Sequence, residues 1–247
     1  MIRFFVVNIS VLLNEAGFKK AYLRSSKERR EKADKLRRSE DKARCIAAGL
    51  LLAYAYKKFR EEYIKELAQA NSFGYAAEQG KRIPEKLPEI REREGGKPEL
   101  VLADGAEGGI YFNLSHSGAY VICVVADFEV GADIQRRTNV RESLIRRYFS
   151  EEENMRMDEC GEDEILRERM FAKIWTVKEA RAKLTGRGIA EILENGDRDS
   201  AMECHIRQGE LDMDYAWAVA CYKEDISKDS FGISGPVVAD EGEVFYG

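Results

Sequence analysis

Two long amphipathic stretches, each set among short runs of β-forming residues, constrain the fold of this chain more than any other feature of its sequence. The first lies within residues 27–67, where Ala43, Ala47, Leu50, Leu51 and Tyr54 recur at helical spacing and one break is expected. The second covers residues 164–184 and stops at Gly186. At about 100° per residue, Met170, Ile174, Val177 and Leu184 share one arc, which has to be the buried face. Strands are predicted at 2–7, 110–114, 119–126, 131–135, 201–207 and 215–222. Residues 140–149 read as a shorter helix, and Ser150 followed by Glu151, Glu152 and Glu153 is an N-cap with acids in the first turn. Gly74, Gly80, Pro84, Pro88, Gly95, Gly96 and Pro98 punctuate an irregular stretch. Strand, helix and strand pair thus occur twice, which predicts an α+β fold of two units of similar size, 1–128 and 129–247. No role is assigned to the polar tail after about residue 225.

Composition excludes several classes. With 44% hydrophobic and 10% aromatic residues, the chain has enough apolar surface to fold, which argues against disorder. No stretch is long and apolar enough for a membrane span, and the short apolar start lacks the marks of a signal peptide. Cys45, Cys123, Cys160, Cys204 and Cys221 are scattered and form no Cys-x-x-Cys pair, which argues against a zinc site or a disulfide framework and suits a reducing cytoplasm. The net charge of −5 conceals a basic N-terminal part, with roughly 17 Lys and Arg against about nine Asp and Glu in the first 70 residues. Such a part could face nucleic acid, an acidic protein or a phosphorylated small molecule, or could be a solvated helix face.

Three segments concentrate the reactive side chains. Trp175, Glu179 and Lys183 recur every four residues on the helix face opposite the apolar arc. A surface Glu–Lys pair at this spacing is commonplace, but a tryptophan on a polar face points to a second packed surface or a ligand. Asp133 stands in an apolar strand, where a carboxylate needs a metal or a cation as partner, or else marks a strand edge. Asp133 and Gln135 leave that strand on one side and Ile134 on the other. Asp133 with Glu179 would make a hard oxygen site for Mg²⁺, with Mn²⁺ as a substitute. In Phe112-Asn113-Leu114-Ser115-His116-Ser117, Ser115 and His116 are adjacent, so an extended backbone points them apart and argues against a nucleophile–base pair. A histidine among hydroxyls suits phosphate binding or a structural role.

Together, Phe-Asn-x-Ser-His-Ser at 112–117, Gly-x-Asp-Ile at 131–134 and Trp-Thr-x-Lys-Glu-Ala-x-x-Lys-x-x-Gly-x-Gly at 175–188 resemble the signature set of the Sfp-type phosphopantetheinyl transferases, in the expected order. Gly96-Lys97-Pro98 and Glu40-Asp41-Lys42-Ala43-Arg44 add weaker matches, so the likeness spans residues 27–222. The resemblance implies a pseudo-dimer of two α+β halves with coenzyme A as co-substrate in the cleft between them, the first half holding the coenzyme and the second the metal and catalytic residues. It implies that Arg29, Lys32, Arg44 and His116 hold the 3′-phosphate, that Lys97 and Pro98 lie by the adenine, and that Ser115 positions the nucleotide. Asp133 and Glu179 would bind Mg²⁺, Lys183 would contact the phosphates, and Glu179 would take a proton from the serine of an apo acyl or peptidyl carrier protein, releasing 3′,5′-ADP. A monomer is expected, without nucleic acid or membrane as partner.

Gln135 departs from this pattern, because it stands where many relatives carry a third acid. An amide offers a carbonyl oxygen but no charge, so Gln135 enters the metal set only as a neutral ligand. The competing readings are a transferase for another coenzyme A derivative, a nucleic-acid-binding module and an inactive carrier-protein binder. The second lacks interleaved aromatics and a basic overall charge, and the third conflicts with the presence of Asp133, Glu179 and Lys183.

Overall fold

The computed structural model describes residues 1–69, 83–93, 95–101, 109–189, 204–222 and 235–247. The chain opens with β1 (Ile2–Asn8), a 3₁₀ turn (Ser10–Leu13) and the helices α1 (Glu15–Arg24), α2 (Lys27–Asp34) and α3 (Ser39–Gln69). Strands β2 (Glu89–Glu92), β3 (Pro98–Val101), β4 (Tyr111–Ser117), β5 (Tyr120–Ala126) and β6 (Val130–Arg136) follow. Helices α4 (Glu142–Tyr148), α5 (Glu151–Asp158) and α6 (Glu164–Thr185) precede β7 (Cys204–Leu211) and β8 (Tyr215–Tyr222). A two-residue strand β9 (Val237–Val238) and a short helix α7 (Glu241–Phe245) end the chain.

Two sheets carry the fold, one in the order β4-β5-β1-β9 and one in the order β6-β8-β7, while β2 and β3 pair separately. Strand alternation explains how they stack. Phe4 and Val6 of β1 and Val124 of β5 meet Ala132 and Ile134 of β6 and Trp217 of β8 in one buried cluster between the sheets. The intervening residues Phe5, Val7, Cys123 and Val125 turn the other way, into a cluster with Leu51 and Tyr56 of α3. On the outer side of the second sheet, Ala218 and Ala220 of β8 meet Ala180 and Leu184 of α6. The layers therefore run α3, first sheet, second sheet, α6, a mixed helix-and-sheet architecture that agrees with the expected α+β class.

The helices start and stop where the capping residues dictate. Asp163 accepts a hydrogen bond from the Leu166 amide at the start of α6, and Gly186 caps its end in the left-handed region at φ 74°. Ser150 and Glu153 make both bonds of a capping box at α5. The expected break in the first helical stretch falls between α2 and α3. Helix α1, which apolar spacing does not announce, begins where Asn14 accepts from the Gly17 amide.

The structure revises three stretches. The strand predicted at 201–207 is Cys204–Leu211, and residues 201–203 lie outside the described residues. Gly74 and Gly80 also lie outside them, while the end of that stretch forms the β2–β3 hairpin. The end of the tail, given no role above, packs on the first sheet: Val237 pairs with Phe5 in parallel, and Val244 and Phe245 are buried in the α3 cluster. Burying a phenylalanine is worth about 1.5–3 kcal/mol, enough to hold such a short segment in place. No described helix is long and apolar enough to cross a membrane.

Close approach of α6 to β6 rests on one glycine. A Cβ at Gly131 would stand 2.1 Å from the Ala180 carbonyl oxygen and 2.4 Å from the Leu184 amide nitrogen. Gly131→Ala should therefore push the helix off its sheet and cost at least about 2 kcal/mol in urea denaturation, as overpacking of a core contact does; an unchanged midpoint would show that the helix shifts freely.

Candidate active site

Alternation along β6 sends Gly131, Asp133 and Gln135 toward α6, because Ala132 and Ile134 are taken up between the sheets. Glu179 and Lys183 lie one turn apart on the facing side of α6. The Lys183 Nζ stands 2.7 Å from Oδ1 of Asp133, and the Ser115 hydroxyl donates to the same oxygen at 2.6 Å. Asp133 is only 5% exposed, so this cation and this donor balance a buried charge. Asp133, Gln135, Glu179 and Lys183 line a cleft of about 280 Å³ together with His116 and Trp175. A neighbouring space of about 280 Å³, walled by Gly95–Pro98, Asn113 and Gly186, shares Leu114, Glu179 and Lys183 with it. The two form one continuous groove along α6.

Burial raises the Glu179 carboxyl above the ordinary carboxylate value, the Asp133 charge raises it further, and Lys183 partly offsets both. A carboxyl whose ionisation is opposed by a neighbouring carboxylate favours a cation between the two. Among the described residues, no three His, Cys, Asp and Glu side chains gather to hold a metal. The donor set in the cleft is two carboxylates and the amide of Gln135, whose Nε2 is already donated to the Arg136 carbonyl at 2.9 Å. This all-oxygen set, incomplete by itself, fits a hard divalent ion that keeps several waters.

Trp175 has the second packed surface that its position called for, and it also faces the cleft. It stacks on Phe171 at 6.0 Å between ring centres, lies 5.9 Å from the Tyr148 ring, and presents the remainder to the cleft. Val177 and Leu184 of the expected apolar arc pack against the second sheet, whereas Met170 and Ile174 pack toward Phe149 on the α4–α5 side.

At the mouth of the cleft stands a basic cluster. Arg44 donates from Nη1 to the Gly118 carbonyl at 2.9 Å and from Nη2 to Asp41 at 2.5 Å. His116 keeps one edge open to solvent but is otherwise crowded by protein. That crowding, with the Arg44 and Lys183 charges, holds its imidazole below the usual histidine value. The bond from Arg44, with the charges of Arg44, Arg38 and His116, lowers the Asp41 carboxyl. Four groups thus act on one another where β4 turns into β5 beside the start of α3. Arg38 was not among the residues selected by motif; its only signal is the Arg37-Arg38 pair before α3.

The remaining candidates divide. Lys97 and Pro98 line the groove, but the Lys97 ammonium points inward, to Glu129 at 2.5 Å and to the Leu184 carbonyl at 2.8 Å. Burial lowers its pKa despite the Glu129 partner. Only the aliphatic stem and the proline ring are then left for a ligand. Glu129, which also pairs with Arg93, escaped sequence reasoning because nothing local links it to Lys97, 32 positions away. The Arg29 side chain lies over Gly49 of α3, and Lys32 is exposed on α2; neither is among the residues lining the groove.

Comparison with known proteins follows from this geometry. The family model of the 4′-phosphopantetheinyl transferase superfamily matches residues 129–227. The chain is 33% identical over 148 residues to the 4′-phosphopantetheinyl transferase psf-1 of Bacillus pumilus, covering 54% of this chain and 61% of the relative. It is 28% identical over 132 residues to the 4′-phosphopantetheinyl transferase Sfp of Bacillus subtilis strain 168, covering 48% of this chain and 58% of that one. The 4′-phosphopantetheinyl transferase ffp of Bacillus subtilis is 26% identical over 222 residues, 85% of this chain and 87% of the relative. The matched stretch thus spans less than two thirds of the first two relatives and most of the third.

The raised carboxyl of Glu179 has a measurable consequence. Its folded-state value lies above the unfolded one, so the cost of ionising it is absent below the ordinary carboxylate range and complete above the raised value. Glu179→Gln should therefore stabilise the metal-free protein in urea melts at about pH 8 and make little difference near pH 4. Equal stability of the two proteins at the higher pH would mean that Glu179 carries no such cost.

Proposed function

The chain belongs to the Sfp-type 4′-phosphopantetheinyl transferase family, and on that premise we propose that it moves the 4′-phosphopantetheine group of coenzyme A onto a serine of an apo acyl or peptidyl carrier protein, releasing 3′,5′-ADP. The observation that carries this reading is the meeting of Glu179 and Lys183, one turn apart on α6, with Asp133 of β6 in a single cleft. The reading divides the chain into a coenzyme-binding half, 1–128, and a metal and catalytic half, 129–247, related as a pseudo-dimer. The contact of the two sheets across a shared apolar cluster, with one long helix on each outer face, supports it.

Asp133 and Glu179, with Gln135 as a neutral third ligand, would hold Mg²⁺ or Mn²⁺. When bound, the ion would supply positive charge beside the pyrophosphate oxygens. The side chains then have distinct tasks. Arg44 and His116 hold the 3′-phosphate, with Arg38 adding charge from the start of α3 and Arg29 and Lys32 contributing at longer range. A phosphate there would raise the His116 imidazole back toward its usual value. The Lys97 stem and Pro98 form a wall for the adenine, and Ser115 lies in the cleft wall beside Asp133. Lys183 leans between Asp133 and the groove, where its ammonium meets the negative charge that grows on the leaving phosphate. Glu179, with its raised carboxyl, accepts the proton of the carrier serine as the hydroxyl attacks the β-phosphate. No side chain forms a covalent intermediate, and catalysis is positioning and charge neutralisation.

The direct test is to incubate the protein with coenzyme A, Mg²⁺ and several apo carrier proteins and to weigh the carriers. A mass gain of one phosphopantetheine arm is expected, and it should vanish with a chelator; no gain on any carrier would count against the reading. Asp133→Ala and Glu179→Ala should each lose at least about 10²-fold in turnover, while Gln135→Ala should lose much less because water can replace a neutral ligand. Arg44→Ala should weaken coenzyme A by about 10- to 100-fold and 3′-dephospho-coenzyme A hardly at all, as expected for a lost charge-assisted bond. Equal losses for both compounds would remove Arg44 from the 3′-phosphate.

A further inference from the structure

Strand β6 is the edge strand of its sheet, paired with β8 on one side only. Every second amide of such an edge points away from its partner strand, and a buried edge must find acceptors elsewhere. Here Val130, Ala132, Asp133 and Ile134 are all buried, so water cannot supply them along most of the strand. The acceptors come from side chains of β4. The Ala132 amide donates to Oδ1 of Asn113 at 3.1 Å, the Ile134 amide to Oγ of Ser115 at 3.4 Å, and the Arg136 amide to Oγ of Ser117 at 2.9 Å. Donors and acceptors both advance by two residues, so one face of β4 reads the open edge of β6 in a single register. On β1 and β5, the sheet-facing positions are apolar, with Phe4, Val6, Ile122 and Val124. Among the described residues, the oxygens that meet the open edge of β6 are those of Asn113, Ser115 and Ser117 on β4.

Ser115 does more than accept. Its hydroxyl proton goes to Oδ1 of Asp133 at 2.6 Å, the oxygen that Lys183 also contacts. Ser115 is itself buried, at 6% exposure, and both of its side-chain bonds run to β6, one to the Ile134 amide and one to the Asp133 carboxylate. From this arrangement we infer that Asn113, Ser115 and Ser117 form a side-chain-to-backbone zipper that sets the register of β6, and that Ser115 is the positioning residue that aims the Asp133 carboxylate rather than a ligand of the nucleotide. A slip of one residue in this register would turn Asp133 away from α6 and Ile134 toward it. The zipper stands on the structure alone; the consequence for a metal rests on the function proposed above.

The test therefore has two arms. In amide hydrogen exchange followed by NMR, Asn113→Ala, Ser115→Ala and Ser117→Ala should each speed exchange mainly at its own partner, Ala132, Ile134 and Arg136 respectively, by about tenfold or more, the change that loss of one hydrogen bond gives. Unchanged exchange at all three partners would overturn the zipper, whatever the enzyme does. In the second arm, Mn²⁺ binding is titrated by electron paramagnetic resonance in the presence of coenzyme A. Ser115→Ala should weaken Mn²⁺ by about 10- to 100-fold, the usual effect of losing a partner that orients a metal ligand, with coenzyme A affinity in the absence of metal within about twofold of wild type. Ser115→Thr, which keeps the hydroxyl, should recover most of the Mn²⁺ affinity. If instead Ser115→Ala weakened coenzyme A and left Mn²⁺ binding intact, the positioning role would be wrong. Should Ser115→Ala fail to fold, the Ser117→Ala and Asn113→Ala exchange patterns still decide the zipper, and Ser115→Thr with Mn²⁺ still decides the positioning. A wild-type protein that modifies no carrier would sink the proposed function while leaving the exchange arm to stand or fall by itself.

Discussion

The buried charge of Asp133 is the constraint around which the rest of the structure is arranged. A carboxylate at 5% exposure is tolerable only with compensation within bonding distance. Lys183 supplies a charge at 2.7 Å and Ser115 a hydroxyl at 2.6 Å. The first requires α6 to lie directly on β6, which Gly131 permits by having no side chain. The second requires β4 of the other sheet to lie against the open edge of β6. Each of the two central contacts of the fold, helix on sheet and sheet on sheet, thus ends on one oxygen atom.

That placement also explains the electrostatics of the cleft. Lys183 and Ser115 both bond Asp133, whereas Glu179, one turn from Lys183, shares the cation and has its carboxyl raised by burial and by Asp133. The pair therefore contains one carboxylate tied down by two bonds and one whose ionisation is opposed by its surroundings. Such a pair is suited to take up a divalent ion or a proton, as the function proposed above requires. At the groove's other end, Glu129 and the Leu184 carbonyl occupy the Lys97 ammonium, so that wall offers apolar surface. The basic mouth, with Arg44 held between Asp41 and Gly118, offers charge instead. One groove thus presents different chemistry along its length, suited to a ligand with a flat base at one place and phosphates at others.

Much of this was legible from spacing alone. The runs of β-forming residues in β1, β5 and β8, the helical period in α3 and α6, the cap at Ser150 and the stop at Gly186 are local properties, and local physics decides them. So is the choice of side for Asp133 and Gln135 against Ile134, and of one helix face for Trp175, Glu179 and Lys183. The signature segments named the reactive residues because their chemistry is unusual for the elements that hold them: an acid in an apolar strand, a tryptophan on a polar face. Helix α1 was not legible, because its caps are local but its burial is not; it needs α3 and the end of the chain to cover it.

What the sequence by itself determined was therefore the set of elements and the direction in which each functional side chain leaves its backbone. What only the tertiary structure decided was what each of them meets. Ser115 lies 18 positions from Asp133 and Lys183 lies 50 positions from it, yet all three share one oxygen. Val237 and Phe245 close the first sheet and its helix layer from the far end of the chain. Ser115, expected from its motif to position the nucleotide, is bonded to a strand edge and a carboxylate, contacts that no motif announced. Periodicity specifies a face, and motifs specify a kind of side chain. The partner across a face is set by how sheets and helices stack to remove apolar surface from water and to satisfy every buried amide, and that is a property of the whole chain.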